Sequence, residues 1–409
     1  LHDYFQSNNL LPELQSAYRR NHSTETALLC VISDLLKAVD SGRVTLLGLL
    51  DLSAAFDTVD HEILVRRIQS TFGVGGTPLA WVKSFLSGRT QEVMFQGGRS
   101  ATRLLTSGVP QGSVLGPLLF LVYTVELFVI INRHGFKVHS YADDTQIYLS
   151  VSAADATDAA RRFAACVADV DGWMDGNRLK LNADKTQIIW VGSRQQLAKL
   201  VDTDVTLQSS VVHPSTTVVD LGVHIDDQLS MAAHVANLSR VCFFQLRQIR
   251  SIHRFLSSDA TRHLVQAFVS CRLDYCNSLL YKISDHLTTQ LQRIQNAAAR
   301  LVVGARRSDH ITPVLRDLHW LPIRQRVVFK IATLVYKCLH GLAPDYLASQ
   351  CIPVASLSGR RHLRSAASNL LVEPRTHTVR AGARPFSVCG PAVWNSLPDE
   401  LRSSGQSLA

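Results

Sequence analysis

Two features of this 409-residue sequence are candidates for phosphate chemistry. Asp51 closes an uninterrupted apolar run, Val44–Leu50, and Asp143 and Asp144 stand side by side after Tyr141-Ala142. A short apolar run suits a strand buried on both faces, so Asp51 is expected at the end of a sheet. Residues 138–151 read as a hairpin. Its second limb alternates, with Ile147, Leu149 and Val151 on one face and Gln146, Tyr148 and Ser150 on the other. The turn is expected on Ala142, Asp143 and Asp144. If the two strands are neighbours, three carboxylates converge. At about 4 Å and an effective dielectric near 20, each like-charged pair costs roughly 4 kcal/mol, so the cluster needs protons or cations. An all-oxygen donor set favours a hard cation, and Mg²⁺ is the usual one in phosphate chemistry. Two such ions activate a 3′-hydroxyl and stabilise a leaving pyrophosphate. The competing reading is that Asp-Asp in a turn is ordinary turn chemistry.

The elements that must position these residues follow from periodicity. Ser23, Thr24 and Glu25 precede a helical spacing of Ala27, Leu28, Val31 and Leu35, which predicts a helix over 23–39. Another is expected after Asp57, where Val59 and Ile63, then Leu64 and Ile68, recur at i,i+4. Ala160, Phe163, Val167 and Val170 mark a third, and Thr186–Val191 and Val218–Ile225 read as strands. This order predicts an α+β layer, an antiparallel sheet covered by helices. After about residue 230 the pattern becomes helical and Arg-rich, through Met231, Val235, Leu238, Cys242, Leu246 and Ile249 and again through Leu291, Ile294, Ala298 and Leu301. From about residue 350 regular patterning fades. Val114–Ile131 approaches the roughly 20 residues of a membrane span, but Pro117 and Glu126 favour a buried helix.

Composition narrows the classes further. A hydrophobic share of 46% with 15 Phe, 9 Tyr and 5 Trp excludes a disordered chain. Eight cysteines without a CxxC remove the main support for zinc-ribbon and thioredoxin-type readings and suit a reducing compartment. His263, Cys271 and Cys276 are poorly spaced for zinc, and buried thiols are the better reading. The net charge of +9 is uneven: residues 1–229 carry 19 Lys and Arg against 24 Asp and Glu, whereas 230–409 carry 23 against 9. A basic half beside an acidic half suits a polyanion partner for one and catalytic carboxylates for the other. The sequence opens on Leu1 with no signal-peptide pattern, and it is expected to be a fragment of a longer polypeptide.

Five motifs occur in order: Asp51-Leu-Ser-Ala-Ala-Phe-Asp57, Ser107-Gly-Val-Pro-Gln-Gly-Ser113, Tyr141-Ala-Asp-Asp144, Leu181-Asn-Ala-Asp-Lys-Thr186 and Leu221-Gly-Val223. The set resembles the polymerase motifs of reverse transcriptases, in the wording of non-LTR (LINE-type) retrotransposons of the jockey and chicken-repeat kind. Gln15-Ser-Ala-Tyr-Arg19 and His22-Ser-Thr-Glu-Thr26 resemble the finger segment of that family.

The resemblance implies a right-hand polymerase fold. Partial fingers and an antiparallel palm would occupy residues 1–229, a basic helical thumb 230–305, and a C-terminal region of the element 306–409. Asp51, Asp143 and Asp144 would be catalytic and hold two Mg²⁺ ions, with the Leu52 carbonyl as a further ligand. Phe56 matches the aromatic that rejects a ribose 2′-hydroxyl; a core aromatic is its other reading. Gln111 and Gly112 match the dNTP contact, or form a simple glycine turn. Lys185 matches the lysine that protonates pyrophosphate, or is solvated surface. Leu221-Gly222 matches the primer grip, or is a strand-end glycine. Asp57 and His61 are assigned to supporting or capping roles. Arg19, Arg247, Arg250 and Arg254, with Arg293, Arg300, Arg306 and Arg307, would contact nucleic acid, a solvated helix face being the alternative for each.

The partners implied are an RNA template, a DNA primer and dNTPs, with no membrane, and an upstream endonuclease domain in the full-length element. The setting is intracellular, in the nucleus during integration. The reaction is RNA-directed DNA synthesis, lowered by the absence of the first finger segments. The alternatives are an inactive nucleic-acid-binding remnant and, with a poorer fit of motif wording, a maturase-type relative. Val125-Glu126 stands where many relatives read Asn-Asp, a change expected to be peripheral.

Overall fold

The computed structural model describes residues 1–53, 55–182, 185–201, 203–207, 210–356 and 369–402. Ala54 of the first motif, Ala183 and Asp184 of the fourth, and residues 357–368 and 403–409 of the expected C-terminal region lie outside the described residues. The chain forms two compact units. The first takes in Leu1–His22, Leu46–Ile189 and Lys199–Ser215; the second takes in Ser23–Thr45, Trp190–Ala198 and Thr216–Ala409.

A four-stranded sheet runs in the order Gln187–Val191, Val44–Leu50, Asp144–Val151, Lys137–Tyr141. The apolar run is therefore an interior strand, and Leu46, Leu47 and Leu50 are buried in it. Gly48 within it is required by packing. A Cβ there would lie 2.2 Å from the Phe163 ring, so the helix Ala156–Gly176 approaches the sheet only because residue 48 lacks a side chain. Lys137–Tyr141 pairs antiparallel with Asp144–Val151, and Tyr141 is opposite Asp144. The turn is thus the two residues Ala142-Asp143, and Asp144 opens the strand rather than belonging to the turn. Gln146 and Tyr148, on the nominally polar side, are buried as well.

The apolar stretch after Ser113 forms two helices, Leu115–Thr124 and Glu126–Arg133. By length and composition alone Leu115–Arg133 could cross a membrane, yet most of it is buried inside the protein. Glu126 within it is partly exposed and is held by a buried arginine. Arg67, 6% exposed, donates to both Glu126 carboxylate oxygens at 3.2 and 2.7 Å and to Asn177 Oδ1 at 2.8 Å. It also donates to the Tyr123 carbonyl. Trp173 Nε1 donates to Glu126 at 2.9 Å. Burial lowers the Arg67 value, and the Glu126 charge and hydrogen bonds oppose that. Glu126 is therefore not peripheral, because it neutralises a cation that joins three helices. Between the helices Gly76–Leu86 and Leu115–Thr124, two short antiparallel ladders, Thr90–Gln91 with Arg103–Leu104 and Met94–Phe95 with Gly98–Arg99, form an exposed ribbon.

The second unit is mainly helical. Ser23 caps Thr24–Asp40 through a reciprocal pair with Thr26. Ala232–Ile252 packs on Asp285–Val303, and Ile323–Leu339 packs on Phe386–Asn395. The last of these corrects the expectation of fading pattern: Phe386, Cys389, Val393 and Trp394 are buried, and the Phe386 N–H donates to Ser33 Oγ at 2.9 Å. Val218–Ile225 is also not one strand. It is a hairpin, Thr217–Asp220 with Val223–Asp226, turning on Leu221-Gly222.

Replacing Glu126 by Ala leaves Arg67 buried without its counter-charge, which is expected to lower the unfolding free energy by about 2–4 kcal/mol in urea titration. The double change Arg67→Met with Glu126→Leu should cost less than Glu126→Ala alone. A double variant as unstable as the sum of its singles would contradict the pairing.

Candidate active site

Asp51 follows directly on the interior strand. Its carbonyl accepts the Asn182 N–H at 2.9 Å, and Leu52 and Ser53 pair antiparallel with Leu181 and Lys180. The fourth motif is thereby folded back onto the first, and Lys185 Nζ comes within 3.4 Å of Asp51 Oδ2. That oxygen is shut off from solvent and, among the described residues, accepts no hydrogen bond. An oxygen in this state suits a cation, and Lys185 supplies part of that charge.

Asp143 and Asp144 arrive on the hairpin. Burial raises the Asp143 carboxyl above its ordinary value; the Asp51 charge adds to this, while its own backbone N–H and Lys185 oppose it. Asp144, more exposed, is raised by burial and by the charges of Asp143 and Asp51. The three carboxylates thus act on one another electrostatically. Among the described residues, no three His, Cys, Asp or Glu side chains are close enough to form a ready metal cage.

The Ser107–Ser113 motif is tied to the first motif by local geometry. Gly108, at φ +86°, sits where a Cβ would stand 2.9 Å from the Asp57 carbonyl oxygen, so only glycine fits. Its N–H donates to the Val59 carbonyl at 2.8 Å, and its carbonyl lies 2.7 Å from His61 Nε2. Gln111 Nε2 donates to Asp57 Oδ1 at 3.0 Å, and Ser107 Oγ donates to the Asp57 carbonyl at 3.1 Å. Asp57 and His61 therefore brace this loop. The helix cap is Asp60, which accepts from the Glu62 and Ile63 N–H groups at 2.9 and 3.0 Å. Gln111 and Gly112 are exposed beside this anchorage. Half-buried Phe56 stacks on Phe120 at 4.5 Å between centroids.

The other expected residues have separate settings. The Arg19 guanidinium turns inward, donating from Nη1 to the carbonyls of Pro12, Glu13 and Gln15 at 2.7, 3.3 and 3.1 Å. It holds the loop of residues 12–15. Leu221 and Gly222 belong to the second unit, where the Leu221 carbonyl accepts Tyr275 Oη at 2.7 Å. In that unit Arg250 and Arg254 join Arg293, Arg300, Arg307 and His253 along a groove of about 920 Å³, and Arg247 is exposed on the same helix as Arg250. Cys276 is buried and its thiol is pushed up to about 12, foremost by burial.

Sequence reasoning missed Tyr18. Burial raises its phenol, and Asp143 and Tyr141 reinforce this, so Tyr18 stands within electrostatic reach of Asp143. Its only signal was membership of the Gln15–Arg19 segment.

Residues 1–225 match the family described as reverse transcriptase (RNA-dependent DNA polymerase). The chain belongs to this family. It is similar to the probable RNA-directed DNA polymerase from transposon BS of Drosophila melanogaster, 26% identical over 341 residues, covering 80% of this chain and 36% of the relative. It is also similar to the RNA-directed DNA polymerase from mobile element jockey of Drosophila melanogaster, 26% identical over 238 residues, covering 56% of this chain and 25% of the relative. The chain thus spans about a third or less of the length of these relatives. Among solved structures, telomerase from Candida albicans aligns with a TM-score of 0.42 and 12% identity, over 78% of this chain and 57% of that one.

The raised Asp143 carboxyl fixes a pH sign. A carboxyl that holds its proton more tightly folded than unfolded makes stability fall as pH rises from the ordinary carboxylate value through the raised one. At neutral pH, in chelator, the full penalty is present. Asp143→Asn should then raise the melting temperature by about 2–4 °C at pH 7.5, with the gain vanishing near pH 4. A melting temperature unchanged or lowered at pH 7.5 would refute this reading of the site.

Proposed function

We propose that this chain is the polymerase part of a non-LTR retrotransposon's RNA-directed DNA polymerase, adding nucleotides from dNTPs to a primer 3′-hydroxyl on an RNA template. The observation that carries the reading is the set of mutually repelling carboxylates at Asp51, Asp143 and Asp144, within a reverse transcriptase family match, with a solvent-shielded Asp51 oxygen that accepts no hydrogen bond among the described residues. On this reading the first unit supplies palm and partial fingers, and residues 230–305 supply a thumb.

The all-oxygen donors of Asp51, Asp143 and Asp144, with the Leu52 carbonyl, suit two Mg²⁺ ions. Such ions, when bound, supply charge that activates the 3′-hydroxyl and stabilises pyrophosphate. The remaining work falls to the chain itself. Gln111 and Gly112 present amide groups to the triphosphate from a loop braced by Asp57 and His61. Phe56, fixed against Phe120, excludes a ribose 2′-hydroxyl by volume. Lys185 stands beside Asp51 and gives a proton to the departing pyrophosphate. Leu221 and Gly222 steady the primer. Arg247, Arg250 and Arg254 follow the phosphate backbone, together with the other arginines of the groove.

The test is primer extension on an RNA template with Mg²⁺ and dNTPs. Extension that Asp143→Ala abolishes is expected; none by this chain, and none by a version lengthened at its N-terminus, would sink the polymerase reading. Binding of a primer–template duplex is expected to follow a log–log salt slope of about −5 if about six phosphates are contacted. The double change Arg250→Gln with Arg293→Gln should flatten that slope by about 2. An unaltered slope would remove the groove from the nucleic-acid path.

A further inference from the structure

We infer that Gln15 is a positioning residue of the polymerase centre: its buried carboxamide locks the turn that carries Asp143 and so sets the placement of Asp143 and Asp144. This rests on the polymerase reading above. Gln15 lies outside every helix and strand, yet it is only 2% exposed. Its segment runs parallel beside the outer strand Lys137–Tyr141. Ser140 N–H donates to the Leu14 carbonyl at 2.9 Å, and Ser16 N–H donates to the Ser140 carbonyl at 2.9 Å. Ser16 Oγ also lies 2.8 Å from His139 Nε2.

From that track the Gln15 side chain reaches the hairpin turn, 127 residues away in sequence. Its Nε2 donates to the Ala142 carbonyl at 3.3 Å, and its Oε1 accepts the Ala142 N–H at 3.2 Å. One amide thus holds both peptide groups of a single residue. Oε1 also accepts the Ala17 N–H at 3.0 Å, which fixes the amide itself. The Arg19 contacts to the carbonyls of residues 12, 13 and 15 stiffen the loop from which Gln15 projects.

The residue held in this way needs holding. Ala142 has φ +59°, a conformation that favours glycine, in a two-residue turn between paired Tyr141 and Asp144. Asn, Asp or Gly are the usual first residues of such turns. Ala has no side-chain polar group to stabilise the turn, and the external amide supplies the missing hydrogen bonds. Only a carboxamide offers a donor and an acceptor side by side. An ionised carboxylate only accepts, and a thioether does neither usefully. Asp143 is the other residue of this turn and Asp144 the next, so freedom at Ala142 passes directly to both carboxylates.

The test compares wild type, Gln15→Met, Ala142→Gly and the double variant, each as the full chain. Three readouts are taken: primer extension, Mn²⁺ binding followed by electron paramagnetic resonance, and thermal unfolding in chelator. Gln15→Met is expected to lower kcat about 10- to 100-fold per folded molecule while the dNTP KM changes little, as small misplacements of reacting groups do. Its Mn²⁺ affinity should fall about tenfold, the usual effect of losing a group that orients ligands. Adding Ala142→Gly, which removes the strain that Gln15 holds, should restore much of both losses. Wild-type kcat and Mn²⁺ affinity in Gln15→Met would overturn the role. So would losses that match only the unfolded fraction, or that the added glycine leaves untouched. A wild-type chain that neither extends a primer nor binds Mn²⁺ would overturn the polymerase reading itself, and this role with it.

Discussion

Three carboxylates placed within reach of one another at one end of a buried sheet are the constraint on which the first unit depends. Their like charges repel, and partial burial adds to this. A domain stable by only about 5–15 kcal/mol can hold such a cluster only if its surroundings are over-determined. Much of the unit's structure answers that need. Lys185 brings a cation to 3.4 Å from Asp51. The Asn182 N–H on the Asp51 carbonyl fixes the loop from which Lys185 reaches it. The strand ahead of Asp51 is sealed by a helix whose Phe163 fills the space a side chain on Gly48 would need.

The same logic governs the loop around Gln111. It is exposed and has little core of its own, so its shape comes from the first motif, some 50 residues earlier. Asp57 takes hydrogen bonds from Gln111 and Ser107, and His61 meets Gly108. A loop braced by side chains of a neighbouring segment keeps its backbone amides ordered without burying them.

The parts legible in sequence were those written in local periodicity. Val44–Leu50, the hairpin limbs and the helices around Phe163, Leu238 and Ile294 all carry a pattern that their own residues satisfy. The parts that were not legible depend on partners far along the chain. Asp60, not Asp57, caps the helix, because capping is decided by which carboxylate reaches the free N–H groups, and three acidic or polar residues within four positions read alike. Val218–Ile225 looked like one strand because Leu221 fits an apolar run, and only the tight turn reveals that Gly222 breaks it. The helix Phe386–Asn395 escaped notice because Pro391 and two small residues blur its period, although its burial is nearly complete on one face. Glu126 seemed incidental for a similar reason: its partner Arg67 is 59 residues away.

Ala142 shows why such distant support is worth having. Glycine at that position would remove a strain of about 1–2 kcal/mol. It would also widen the range of backbone angles open to the chain, which costs about 0.5–1 kcal/mol relative to alanine. The two effects partly offset each other in stability, so stability gives only a modest reason to prefer either residue. They do not cancel in placement. A relaxed glycine turn keeps the native orientation of the next residue among several without help, whereas an alanine needs two hydrogen bonds from Gln15 to stay in it and then has that one alone. For charges that repel each other, a single orientation matters more than a relaxed one, because repulsion favours whichever accessible orientation separates Asp143 from Asp51.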